Sequence, residues 1–459
     1  MITLRPDQQR VMTSASSAFR AGHRRVLVQA PTGFGKTVLT SSMMRSAGTR
    51  GIRSIFVVHK RELLGQASRA FSANGVPHGI IAPGFRRDPE RLVQVATIGA
   101  LASQAHALKA PRFVCFDECH HLPAPGWSSV QEAFAMAFHI GLSATPRRLD
   151  GRGLRPHFDL MVKGPSVEWL QQRGHLSRCR HFSPRSTLDL SGIRTRLGDY
   201  HTGDLSAAVG RSSIDNDAVD AYLRTARGKR TIVFATSLDQ SARIVDLFIS
   251  AGVPAEHVDG KTPISERQAA IARFEGGETL VLSNVALFTE GFDVPAIEAV
   301  LMLRPTKSLG LYLQMAGRAL RPASGKTHAI IIDLVANYSR HGLVEDTREW
   351  SLDHPISEPE DHSRRLTVCA ACALVAEHRG FCALCGAPPK PRRADELALW
   401  RELVADPGLS HRIRAMRRDE ILGWADDERK LRIAALALGF KSGWAWHRQL
   451  EREGTRVNG

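Results

Sequence analysis

Short apolar runs rich in β-branched residues recur along this chain, and stretches whose apolar positions repeat at helical spacing lie between them. In the first half, Val26–Ala30, Arg53–His59, Val93–Thr97, Arg112–Asp117 and Ala137–Ser143 read as buried strands. One helical pattern runs to about Arg20, and others open at Val38 and Lys60. A second series starts at Lys229. Its strands are Arg230–Ala235, Glu278–Ser283, Ala299–Leu303 and Ala329–Asp333, with a short Ala255–Asp259. Its helices are Leu238–Ala251, closed by Gly252, and Ser265–Phe274, opened by a polar Ser265-Glu-Arg-Gln268. Strands alternating with helices predict a parallel sheet with helices on both faces, so the fold class is α/β. Two tandem units are expected, at 1–165 and 216–345. The stretch 166–215 between them is taken as a connecting region. From Arg147 to Asp215 the chain is rich in Arg, Gly and His, and two readings stay open: an excursion that grips or wedges nucleic acid, or plain connection.

In such sheets ligands bind beyond the carboxyl ends of the strands. The first strand runs straight into Pro31-Thr32-Gly33-Phe-Gly35-Lys36-Thr37 and then a helix. Strand, glycine-bearing loop and helix form a phosphate cradle. Gly33 and Gly35 allow a tight turn with inward N–H groups, Lys36 gives a charge for the β- and γ-phosphates, and Thr37 offers a hydroxyl to Mg²⁺. Ala30 stands where the pattern's first glycine is usual. The fourth strand ends in Asp117-Glu118-Cys-His120. An acid at a strand tip can hold the Mg²⁺ that the loop also needs. A second beside it can polarise a water for in-line attack on a γ-phosphate.

Composition narrows the partners. At 459 residues, the chain is long enough for about three domains. Hydrophobic residues at 43% and charged residues at 24% are ordinary for a globular protein. No apolar run approaches the roughly 20 residues of a membrane span, and Met1-Ile-Thr-Leu-Arg-Pro lacks the features of a secretory signal, so no membrane partner and a cytoplasmic location are expected. Lys and Arg number 62 against 46 Asp and Glu, a net +16 that points to a polyanion, above all nucleic acid. Of the seven cysteines, Cys369, Cys372, Cys382 and Cys385 form two C-x₂-C pairs nine residues apart. In a reducing compartment that spacing predicts a structural Zn²⁺ in a ribbon or knuckle at 365–390. Pro388-Pro-Lys-Pro-Arg-Arg reads as a linker, and 391–459 as a basic tail of two or three helices. Near its end Trp444 and Trp446 sit among basic residues, to stack bases or to fill a small core.

The motifs, in this order, resemble superfamily 2 helicases of the DExH type. Leu4 to Gln8 resembles the adenine-sensing Q motif, which implies nucleotide contacts from Arg5 and Gln8. Gly33 to Thr37 resembles motif I, with Thr32 before it expected at the nucleotide; His59-Lys-Arg-Glu-Leu63 resembles motif Ia, and Ala96-Thr97-Ile98 the next nucleic-acid motif. Asp117 to His120 resembles motif II and Ser143-Ala-Thr145 motif III; the resemblance implies that His120, Ser143 and Thr145 couple hydrolysis to strand movement. Thr289-Glu-Gly291-Phe-Asp293 resembles motif V, with Thr289 at a nucleic-acid phosphate and Asp293 at a ribose hydroxyl. Gln314-Met-Ala-Gly-Arg318-Ala-Leu-Arg321 resembles motif VI. Its spacing places Gln314, Arg318 and Arg321 on one helical face, where Gln314 orients water and the arginines neutralise transition-state charge. The two units are then RecA-like domains with ATP between them. The cysteine knuckle, the Gly-aromatic tail and the run Ala144–Gly153 resemble the RadD-like branch of bacterial and phage helicases.

The expectation is an ATP-dependent helicase or translocase acting as a monomer on single-stranded, forked or branched DNA, in repair or recombination. RNA remains open as substrate, because 2′-OH discrimination is not legible in sequence. So does a DNA-translocating motor of a restriction or defence system. A nucleic-acid binder with a dead ATPase is disfavoured, since every acidic and arginine position is present.

Overall fold

A computed structural model describes residues 3–147, 153–184, 188, 190–196, 198–210, 212–289, 294, 296–353, 366–377, 381–387 and 406–438. Residues 369–372 and those from 377 onward form a compact unit distinct from the rest.

The larger unit holds two sheets. The first has seven strands: β1 (Arg25–Gln29), β2 (Ser54–Val58), β3 (His78–Ile81), β4 (Val93–Thr97), β5 (Phe113–Phe116), β6 (Phe138–Ser143) and β7 (Leu160–Lys163). They lie in the order β3-β4-β2-β5-β6-β1-β7, all parallel. Val26, Leu27 and Val28 are wholly buried, as an inner strand covered on both faces requires. The first lobe's helices are α1 (Pro6–Arg20), α2 (Lys36–Thr49), α3 (Arg61–Ala73), α4 (Ile98–Ala102) and α5 (Pro125–Ala133). Helix α6 (Val167–Gln172) follows on the way to the second sheet.

The second sheet has six strands in the order β12-β13-β11-β14-β15-β8, again all parallel. They are β8 (Cys179–Phe182), β11 (Thr231–Phe234), β12 (Ala255–Val258), β13 (Val281–Asn284), β14 (Ala299–Met302) and β15 (Ala329–Asp333). A small hairpin, β9 (Thr195–Arg196) and β10 (Asp199–Tyr200), precedes its helices: α7 (Thr202–Gly210), α8 (Ile214–Thr225), α9 (Leu238–Ser250), α10 (Ile264–Gly276), α11 (Leu309–Gly317) and α12 (Asn337–His341). The stretch 166–215, expected as connection, therefore supplies β8 to the second sheet. It also plants the hairpin on the second lobe, where the Asp199 carboxylate accepts from the Lys307 N–H at 2.7 Å and the Thr306 hydroxyl at 2.9 Å.

After α12 the chain returns to the first lobe as a strap, residues 343–353. Leu352 enters the first lobe's core with Leu154 and Phe158. The Arg155 N–H donates to the Leu352 carbonyl at 3.1 Å, and its guanidinium pairs with both oxygens of Asp353 at 2.5 Å. A final antiparallel pair, β16 (Thr367–Val368) and β17 (Val375–Ala376), joins the edge strand β8 through a bridge between Phe182 and Leu374.

Among its described residues the smaller unit contains three short helices, Pro407–Ala415, Arg418–Trp424 and Glu428–Ala437. Ile413, Ile421, Ile433 and Ala434 form their core. The linker at 388–393 and the segment with Trp444 and Trp446 lie outside the described residues.

Candidate functional site

Three adjacent strands of the first sheet, β1, β6 and β5, end side by side. Their carboxyl ends deliver the glycine loop, Ser143 and Asp117 to one place, which is why residues more than a hundred positions apart share a site.

The loop has the conformation its glycines predict. Gly33 and Gly35 have φ of +83° and +90°, a region L side chains rarely adopt. A side chain there would also have to displace its neighbours. A Cβ on Gly35 would stand 2.6 Å from Gln8 Nε2, and one on Gly33 2.5 Å from Leu176 Cδ2. Gly35 precedes α2, whose first turn receives no side-chain cap, so its amides are left for an anion. The Lys36 ammonium folds back to the Ala30 carbonyl at 3.2 Å. Thr37 is the second residue of α2 and is exposed.

The Q-motif residues brace this loop. The Gln8 amide donates to the Phe34 carbonyl at 3.0 Å and accepts from the Arg5 N–H at 3.1 Å. Arg5 Nη2 donates to the same carbonyl at 2.8 Å and pairs with Asp7 at 3.1 Å. Burial alone would raise the Asp7 carboxyl, but Arg5 holds it below the usual carboxylate range. Sequence reasoning passed over Asp7, and an acid two residues from Arg5 was the signal.

The acid pair leads into a relay. Asp117 follows β5, and its Oδ1 accepts from the Glu118 N–H at 3.1 Å. Glu118 itself has φ of +47°, a left-handed backbone at a non-glycine residue, which costs of order 1–3 kcal/mol and is a recurrent mark of active sites. His120 Nδ1 lies 3.4 Å from Glu118 Oε2 and 3.2 Å from Ser143 Oγ. Ser143 Oγ in turn donates to the Thr145 carbonyl at 2.9 Å and accepts from the Thr145 N–H at 3.1 Å. His120, Ser143 and Thr145 are thus hydrogen-bonded in series, and the Glu118 carboxylate lies against His120 at the head of that series.

That chain ends at the other lobe. A Cβ on Gly310, in the first turn of α11, would lie 3.0 Å from Thr145 Oγ1. One turn past the middle of the same helix, a Cβ on Gly317 would lie 2.7 Å from Thr32 Cβ. Helix α11 packs this closely on the phosphate loop and on Thr145 only because glycine stands at both contacts.

The expected single face for Gln314, Arg318 and Arg321 is corrected here. Helix α11 stops at Gly317, Arg318 caps it, and Arg321 lies beyond in a bend. The N–H groups of Arg318, Ala319 and Leu320 donate to carbonyls three residues back, a tightened last turn, and Pro322 discourages any continuation. Gln314 is buried on α11. Arg318 donates to the Thr289 carbonyl at 2.6 Å, joining the two motifs of the second lobe. Burial lowers Arg321 to about 10, which leaves it charged at neutral pH. Thr289 is buried and its hydroxyl is turned to the Ala286 carbonyl at 2.8 Å. Thr97 caps the end of β4 before α4. Gly291 and Asp293 lie outside the described residues. A further contact between lobes, invisible in sequence, pairs Arg267 of α10 with Glu62 of α3 at 3.0 Å.

In the smaller unit, Cys369, Cys372, Cys382 and Cys385 offer four sulfurs within 4.8 Å of one another. Cys369 and Cys385 are 3.6 Å apart and Cys372 and Cys382 3.7 Å. Four thiolates around a zinc ion need sulfurs about 3.8 Å apart, so the cluster fits that ion. The Gly386 N–H donates to the Cys382 carbonyl at 2.8 Å, the tight turn of a knuckle.

Two family models match the chain: the type III restriction enzyme, res subunit, over residues 1–148, and the helicase conserved C-terminal domain over 215–323. A 51.5 kDa protein of Lactococcus phage (isolate 7-9) is 36% identical over 324 residues, which are 71% of this chain and 68% of that protein. The DNA 3'-5' translocase XPB2 of Sulfurisphaera tokodaii is 25% identical over 68% of this chain and 78% of its own length. The ATP-dependent type ISP restriction-modification enzyme LlaBIII, solved bound to DNA, shares the fold with a TM-score of 0.54 at 16% identity; 75% of this chain matches 29% of that one.

Proposed function

This chain belongs to the superfamily 2 helicases, which hydrolyse ATP, and we propose that it is an ATP-driven translocase or helicase on DNA, of the DExH type and the RadD-like branch. The carrying observation is the seam: helix α11 of the second lobe rests on the phosphate loop and on Thr145 of the first.

In this reading ATP binds at the loop. The Lys36 ammonium leaves the Ala30 carbonyl for the β- and γ-phosphates, and the amides of α2 receive phosphate oxygens. Thr37 and Asp117 would hold Mg²⁺, which supplies charge neutralisation at those oxygens. Glu118 polarises the attacking water, Gln314 orients it, and Arg318 and Arg321 neutralise charge developing on the γ-phosphate. Arg5 and Gln8 stand beside the loop to meet the base, and Gly291 and Asp293 to meet the ribose. Because the arginines come from the other lobe, hydrolysis requires both lobes in place. The chain Glu118–His120–Ser143–Thr145 passes the state of the acid to α11. Thr97 touches the bound strand, Thr289 reaches it once its hydroxyl leaves the Ala286 carbonyl, and the net +16 supplies phosphate contacts. The four cysteines hold a structural Zn²⁺. The match to the restriction-subunit model favours one second reading, the motor of a restriction or defence system.

The test is the ATPase rate with single-stranded, duplex and forked DNA and with RNA. Stimulation by a DNA form, lost in Lys36→Ala, is expected. A rate that no nucleic acid raises would overturn the motor, and stimulation by RNA alone would overturn the choice of DNA.

A further inference from the structure

Strand β8 carries Cys179 and His181 two residues apart, so both side chains leave the same face of the strand. Arg180 leaves the other face and is exposed. The shared face meets Glu345, the third residue of the strap. Cys179 Sγ and His181 Nε2 both converge on Glu345 Oε2, at 3.0 and 2.9 Å, and lie 3.5 Å from each other. His181 is only 3% exposed.

A thiol, an imidazole and a carboxylate meeting at one point form a coherent donor set for zinc. Zinc–ligand lengths put the edges of such a tetrahedral face at about 3.3–3.6 Å. The observed edges are the same to within about half an ångström, a breathing movement of three side chains. Without a cation the same three groups are joined by hydrogen bonds to the carboxylate, and Gln171 Nε2 also reaches the sulfur at 3.5 Å.

We propose that Cys179, His181 and Glu345 form a second metal site, for a divalent cation of the zinc class, separate from the four-cysteine cluster. Three protein donors leave one tetrahedral position for water. The location gives the site a task. Strand β8 is where the chain enters the second lobe, and Glu345 is where the strap leaves it. A cation there ties entry and exit together at the lobe's edge.

The experiment counts zinc in the full chain after loading and removal of excess metal. Two zinc ions per chain are expected, one in Cys179→Ser, and one in a Cys369→Ser, Cys382→Ser double variant. Glu345→Gln, which keeps the side chain's shape, should weaken the site at least about tenfold. Cobalt in the double variant should give a charge-transfer band of a single thiolate that disappears when Cys179→Ser is added. One zinc in the wild type with Cys179→Ser unchanged would overturn the proposal. So would a folded double variant that binds neither metal. Should the double variant not fold, wild type against Cys179→Ser decides by itself.

Discussion

The two lobes start alike and diverge within one turn of helix. In the first, β1 runs into α2 through Gly35, and no side chain caps the helix. In the second, β11 runs into α9 through Ser237, whose Oγ accepts from the Gln240 N–H at 3.2 Å. There Gln240 completes the turn: its carbonyl accepts from the Thr236 N–H and hydroxyl at 2.8 Å, and its amide donates to Asp215 at 2.8 Å. The same strand-to-helix corner is thus closed on itself in one lobe and left open to an anion in the other. In the proposed function the second lobe contributes from the far end of a different helix, α11, through arginines rather than amides.

The sharpest way to break this division of labour is to remove one contribution at a time. Arg321→Ala should lower ATP turnover by about 10³-fold or more while nucleotide affinity stays within tenfold. Glu118→Gln should cost about 10²- to 10⁴-fold, again with binding retained. Phosphate release and nucleotide titration read both. A loss of binding in Arg321→Ala equal to its loss of turnover would mean that the second lobe helps to bind, not only to hydrolyse.

A smaller effect tests where the lobes agree. Each buries a histidine that burial keeps neutral: His139 on β6, held by the Phe134 carbonyl at 2.9 Å, and His341 on α12, held by the Thr306 carbonyl at 2.9 Å. Burial lowers both to about 4. The unfolded chain takes up these protons near 6.5, while the folded chain refuses them until about 4. Stability is therefore intact above 6.5 and falls as pH drops from 6.5 toward 4, by about 2 kcal/mol per histidine at pH 5. Urea midpoints across that range should fall accordingly, and His139→Gln or His341→Gln should each flatten the curve in part.

The smallest effects compare the two corners directly. Gly35→Ala, at φ +90° and against Gln8, should destabilise by about 1–3 kcal/mol and weaken ATP binding. Ser237→Ala should cost about 1 kcal/mol and leave ATP turnover unchanged. Differential scanning calorimetry alongside the ATPase assay separates them. Equal damage to turnover would erase the distinction between the corners.

What the sequence revealed follows the same physics. Inner strands such as β1 and β11 are buried on both faces, so they read as continuous apolar runs. The strands that escaped notice, β3, β7 and β8, all lie at sheet edges, where one side meets no partner and residues such as His78, Lys163 and Arg180 are tolerated. Lys36 was legible because it follows the glycine loop into α2, and Asp117 and Glu118 because they follow directly on β5, positions set by local pattern. The end of α11 was misread because Gln314, Arg318 and Arg321 fit a helical period that Gly317 and Pro322 interrupt. Leu176 against Gly33, Leu352 in the first core and Glu345 beside Cys179 were not legible at all. Each joins segments far apart in sequence whose meeting is set by tertiary packing, not by local pattern.

The strap then changes what motion is open to the lobes. A body tethered at one point can swivel in any direction. Here the chain crosses once before β8 and crosses back at 343–353, with Leu352 sunk in the first core and Asp353 locked to Arg155. Two anchor points define a line, and a turn about that line strains the two crossings least, as a door turns most easily on its pair of hinges.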